Sequence, residues 1–143
     1  MTGQKPVPER DRVVEAVIRL FVATDRRDWN GVQNCFADAV FFDMTSLGGG
    51  VPSTESPGAI ADGWKEGLKD VPALHHQVGN FLVTLGEREA RVFCYGIAIH
   101  YLAEGSGGKV RTFVGEYDFQ LEEAEGEWKI TLMVYRSKFV IEP

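Results

Sequence analysis

Three histidines and one misplaced acid are the residues of this 143-residue chain best suited to moving protons. Asp25 falls on the row Val14, Ile18, Phe21, Asp25, spaced i, i+4, i+7 and i+11. At about 100° per residue, eleven steps return to within roughly 20° of the start. The row therefore predicts an amphipathic helix with a carboxylate near its end, on the apolar stripe. A carboxylate aimed at a core is costly without a partner, and the natural partners are His75, His76 and His100. A carboxylate beside an imidazole fixes one ring tautomer and stabilises the imidazolium once it forms, which is acid–base machinery. His76 is assigned as base and acid, with Asp25 or His100 as its orienting neighbour. Which histidine Asp25 contacts is left open by the sequence. Asn80, four residues beyond His76 and on the same face by alternation, is expected to donate a hydrogen bond to a substrate oxygen.

The elements that must position these groups follow from periodicity. Residues 1–8 read as a loose tail and residues 9–143 as one domain. Glu9 to about Arg27 is a helix. Asp28 caps a second, shorter helix through Trp29, Val32 and Phe36. Val40 to Met44 is a short strand. Leu47 to Pro57, with Gly48-Gly49-Gly50, is a flexible loop and a candidate lid beside the pocket. Pro57 opens a third helix through Ile60, Trp64 and Leu68. Leu74–Leu85, Arg88–Leu102, Val110–Glu122 and Glu127–Ile141 are β-rich, with breaks at Gly86-Glu87, residues 104–109 and Glu123–Gly126. Helices followed by a long antiparallel meander predict an α+β fold, with the helices on one face of a curved sheet.

Alternation then sorts the strand faces. Cys94, Gly96, Ala98 and His100 share one face, small except for the histidine, which leaves space for a pocket. Tyr95, Ile97, Ile99 and Tyr101 share the other, an apolar outer face of the kind that marks a subunit interface. His75 faces away from His76 and reads as structural. Asp43 ends its strand at the pocket rim. Phe21, Phe41, Met44, Trp64, Tyr117, Phe119 and Met133 are expected around a small apolar or aromatic ligand.

Composition bounds the partners. A net charge of −6 with no basic run argues against nucleic acid or an anionic membrane surface. No apolar stretch reads as a signal sequence or a bilayer span, and Cys35 and Cys94 read as reduced thiols, so a cytoplasmic location is expected. No metal is expected, because adjacent strand histidines point to opposite faces, and no serine or cysteine sits in a nucleophile motif.

The segments Thr24–Trp29, Phe36-Ala37-Asp38, His76–Asn80, Gly115–Phe119 and Gly126–Ile130 resemble, in order and spacing, the SnoaL-like branch of the nuclear transport factor 2-like superfamily. The resemblance implies a cone-shaped curved antiparallel sheet wrapped around N-terminal helices. Within that superfamily Asp25, His76 and His100 match the scytalone dehydratases best, and Asp25 with His76 also matches the dyad of hexachlorocyclohexane dehydrochlorinases. The resemblance implies a cofactor-independent lyase acting on a small cyclic or aromatic hydroxy-ketone; the apolar outer sheet face predicts a homo-oligomer, a trimer by analogy with the family or a dimer by frequency. The chain departs where the dehydratases carry two active-site tyrosines: it has Met44 and Thr24 there, with Tyr117, Tyr135 or Thr24 itself as replacements for the hydroxyls. Two rival functions are a proton-shuttling isomerase or cyclase of the ketosteroid isomerase type, and a non-catalytic binding or assembly module. A binding module has no need for an Asp–His contact.

Overall fold

A computed structural model describes residues 5–102 and 108–143. The first four residues of the expected tail, and most of the break expected at 104–109, lie outside the described residues. Helix α1, Glu9–Asp25, buries Val13, Val17, Leu20, Phe21 and Thr24. The centre of its apolar face is thus one residue off the row read from the sequence. Val14, Ile18 and Asp25 flank that centre and are half-buried. Asp25 stands at the border of the core, where a carboxylate reaches both a protein partner and some water. Arg27, in the left-handed region with φ 56°, turns the chain away from the helix.

Asp28 caps α2, Trp29–Asn34, by accepting from the Gly31 N–H at 3.0 Å. Helix α2 stops short of the expected Phe36, which instead begins β1, Phe36–Asp43. The segment read as a loop contains a short helix, α3, Thr45–Gly48, and a short strand, β2, Ser53–Glu55. Helix α4, Pro57–Gly67, starts with Ser56 accepting from the Ala59 N–H at 3.1 Å and with proline in its first turn.

The meander follows as β3 (Ala73–Leu85), β4 (Glu89–Tyr101), β5 (Val110–Ala124) and β6 (Glu127–Ile141). The six strands form one open sheet in the order β2-β1-β6-β5-β4-β3. All neighbours are antiparallel except β1 and β6, which run parallel. The α+β class holds, with a curved sheet around the N-terminal helices, but the sheet is mixed and unclosed. Glu125 and Gly126, with φ 54° and 81°, make the tight β5–β6 turn. One core, centred on Leu20, Val40, Val92, Phe119, Leu121, Ile130 and Met133, lies between helices and sheet. No described helix is long and apolar enough to cross a membrane.

A β-bulge sets the limits of the site on β3. The β3–β4 register breaks between Gly79 and Leu82, and Asn80 adopts φ 56°. Before the break Leu74, His76 and Val78 turn inward; after it Phe81 and Val83 do so, while Leu82 is 68% exposed.

Candidate active site

Asp25 and His76 meet through two hydrogen bonds. The His76 backbone N–H donates to Asp25 Oδ2 at 2.8 Å, and His76 Nδ1 lies 2.6 Å from Asp25 Oδ1. Both carboxylate oxygens are therefore spent on one residue, one on its main chain and one on its ring. The first bond joins the end of α1 to β3; the second fixes the rotation of the imidazole. A carboxylate can only accept, so Nδ1 carries a proton, and in the neutral imidazole Nε2 is the ring nitrogen left with a free lone pair. The two side chains retain 19% and 14% exposure. Phe21, one turn before Asp25, packs its ring 5.2 Å from the His76 ring.

His76 opens onto a cavity of about 210 Å3, also lined by Phe21, Thr24, Met44, Trp64, His100, Tyr117, Met133 and Tyr135. On its floor two glycines face each other across β4 and β5, Gly96 opposite Gly115, and make room for tyrosine side chains. A Cβ on Gly96 would overlap the Tyr117 ring, and one on Gly115 would overlap the Tyr135 hydroxyl. Glycine is required at both positions by close approach. Phe113 places its ring 4.8 Å from that of His100. Burial pushes the His100 pKa below its ordinary 6.5, and the neighbouring His76 and Arg111 push it the same way. His100 thus presents a neutral imidazole at neutral pH.

Helix α3 forms one wall. Ser46 Oγ donates to the Tyr135 carbonyl at 2.9 Å and accepts from the Ser137 N–H at 3.0 Å, which seats Met44 and Leu47 over β6. On the opposite side the Arg27 guanidinium donates to the Leu68 carbonyl at 3.2 Å and to that of Val71, tying the end of α1 to the end of α4. Leu68, Gly63 and Gly67 of that region complete the wall.

Of the residues singled out from the sequence, His76, His100, Phe21, Met44, Trp64, Tyr117 and Met133 share this cavity, and Asp25 stands behind His76. Four do not line it. Asn80 is the left-handed residue within the bulge and is exposed there, off the face on which alternation placed it. Phe41 is 42% exposed; its neighbour Phe42 turns inward and packs 6.0 Å from Trp64. Asp43 is spent on a local turn ahead of α3, accepting from the Thr45 N–H at 3.0 Å and from its hydroxyl at 2.7 Å, bonds that hold its carboxyl below the usual range. Phe119 is a core residue, stacked 5.5 Å from Tyr117. Leu47, Leu68 and Phe113 also line the cavity, and no chemistry in their types marks them in the sequence. Phe113 was readable, since it alternates with Gly115 and Tyr117 on β5. Among the described residues no group of three or more His, Cys, Asp or Glu is placed to hold a metal ion.

The chain belongs to the SnoaL-like domain family, whose profile matches residues 6–134. No curated protein sequence matches it. Among solved structures it is similar to the Kfla4162 protein of Kribbella flavida, at 18% identity and TM-score 0.87 over 93% of both chains. It is also similar to a candidate scytalone dehydratase of Novosphingobium aromaticivorans, at 15% identity and TM-score 0.81 over 93% of this chain and 86% of that one. A third is the type 3 hexachlorocyclohexane dehydrochlorinase of Novosphingobium barchaimii, at 12% identity and TM-score 0.75 over 92% and 88%. At these identities the likeness is one of fold.

Proposed function

We propose that the chain is a cofactor-independent dehydratase acting on a small cyclic or aromatic hydroxy-ketone. The observation that carries this reading is the double hydrogen bond from His76 to Asp25, beside an apolar cavity that also takes in His100. The free Nε2 of His76 removes a proton from the carbon next to the carbonyl. The C–H electron pair becomes the enolate double bond, and the carbonyl π pair moves onto oxygen. Asp25 stabilises the imidazolium so formed. When the enolate collapses, its electron pair expels the β-hydroxyl group, which takes the proton back from His76 and leaves as water. Neutral His100 is the second donor in the cavity and assists the departing oxygen. Solved relatives in fold named as a dehydratase and a dehydrochlorinase support an elimination. A screen of one- and two-ring β-hydroxy-ketones by mass spectrometry tests it. Loss of one water, absent in His76→Ala, is the expected result; a product of unchanged mass would place the protein among proton-shuttling isomerases instead.

The outer sheet face supports a second reading, self-association. Tyr95, Ile97 and Phe139 are 43%, 43% and 52% exposed, and the register places Ile97, Val114 and Phe139 side by side across three strands. A dimer or trimer through this face is expected at micromolar concentration in sedimentation velocity, converted to monomer by Ile97→Lys. A wild-type monomer at that concentration contradicts it.

A further inference from the structure

The inward face of the meander is built in rows that cross its strands. His76, Ala98 and Phe113 form one row, joined on β6 by Val140. Leu74, His100 and Arg111 form the next and last. Glu142, just past the end of β6, completes that row by accepting from Arg111 Nε at 2.7 Å. Arg111 is thus a cation at the edge of an apolar wall of Ala98, Phe113 and Val140. It stands directly across from His100, whose protonation it opposes, after burial and His76 in that effect. Among the described residues, the two terminal NH2 groups of its guanidinium donate to nothing else. Arginine presents a planar fork that grips both oxygens of a carboxylate, and one bond through Nε leaves much of that fork unused. Glu142 is also a weak holder. Its side chain is 59% exposed, against 38% for Arg111. An ion pair this open to water contributes little to stability, so another carboxylate can replace Glu142 at small cost.

We propose that Arg111 anchors a carboxylate carried by the ligand of this cavity, in the place that Glu142 occupies. The ligand is then a ring acid, a cyclic or aromatic body with a carboxylate at one end. Glu142 itself displays the anion that the position accepts. Two residues along antiparallel strands cover about 6.8 Å, and that distance separates the row of Arg111 from the row of His76, Ala98 and Phe113. One six-membered ring spans it. Ala98, the small member of the inner row, leaves a slot between the His76 imidazole and the Phe113 ring, and all three line the cavity. A ring held by its carboxylate at Arg111 enters that slot with its far side at His76. The inference rests on the reading of this cavity as the substrate site and adds an acid group to that substrate.

The test titrates 2-naphthoate and its neutral isostere 2-naphthamide into the protein by calorimetry at low ionic strength. Wild type is expected to bind the acid about tenfold more tightly than the amide. Arg111→Gln is expected to erase that preference and to bind the amide as before. Glu142→Gln removes the competing carboxylate and keeps the shape. It is expected to tighten the acid about threefold and to leave the amide unchanged. No binding of the acid, equal affinity for the two probes in wild type, or a preference that survives Arg111→Gln overturns the inference. So does acid binding that is unchanged or weaker in Glu142→Gln, the result expected of a purely structural ion pair. Because these readouts need no turnover, a protein that takes the acid at Arg111 and releases no water sinks the dehydratase reading alone.

Discussion

Asp25→Asn is expected to lower turnover by about 10^3- to 10^4-fold while leaving the fold intact. The carboxylate does two things: it accepts from the His76 main chain at 2.8 Å and from the ring at 2.6 Å. An asparagine of the same shape has one acceptor and one donor. If its oxygen keeps the main-chain bond, its amide faces the ring and demands a lone pair from Nδ1. The proton then moves to Nε2 and the base is lost; the same tautomer change in a Ser-His-Asp site costs about 10^4 in kcat. The charge that steadies the imidazolium is lost as well. Replacing a charge-assisted bond by a neutral one costs stability on the order of 1.5–3 kcal/mol, so the variant stays folded at 25 °C if the wild type has ordinary stability. Steady-state kinetics on a substrate from the hydroxy-ketone screen, beside a thermal melt, reads both. A variant within tenfold of wild-type kcat would mean that Asp25 is a structural tie between α1 and β3.

Gly115→Ala is the second large effect, this time on the fold and the site together. The new methyl would stand 2.5 Å from the Arg136 carbonyl oxygen and overlap the Tyr135 hydroxyl. Neither is the free end of a flexible chain. The carbonyl belongs to β6 beside a register shift, and the ring is held by Tyr117 and by the neighbouring Ser46 bond. Relief requires the β5–β6 pairing to open or the Tyr135 ring to swing into the cavity. Overpacking of this kind costs about 2–4 kcal/mol, which for a chain of this length lowers Tm by roughly 10 °C. Gly79→Ala on β3 is the matched control, since nothing lies within 4 Å of its added methyl, and it is expected to change stability by less than about 1 kcal/mol. Equal Tm values for the two variants would show that the floor of the cavity is not closely packed.

Much of the site was legible because it rests on local rules. Helical periodicity put Asp25 on the apolar stripe, one residue from the centre the structure shows, and strand alternation put Gly96, Ala98 and His100 on one face. Those rules act within one element, and each of these elements is regular where it carries the residue. They failed where the chain breaks its own period. The Gly79–Leu82 bulge holds Asn80 in the left-handed region, off the face of the site, and everything beyond it changes face. Phe41 lies on the outward-facing side of β1, while Met44 follows the strand as the residue before α3. Asp43 went to α3, a one-turn helix too short to have a periodic signal. Which histidine Asp25 bonds, and that the β5–β6 shift near Gly115 leaves the Tyr135 hydroxyl enclosed, depend on the register of four strands. The pairing of β1 with β6 is parallel, and no pattern inside either strand announces it.

The central claim is that His76, held by Asp25, removes a proton from the carbon beside a carbonyl bound in this cavity. Deuterium wash-in tests it without knowledge of the natural substrate. 1-Tetralone is incubated with the protein in deuterated buffer, and incorporation at the carbon next to the carbonyl is followed by NMR. Wild type is expected to accelerate incorporation well above the buffer rate, and His76→Ala to return it to that rate. Incorporation at the buffer rate in wild type, or at the wild-type rate in His76→Ala, would contradict the account.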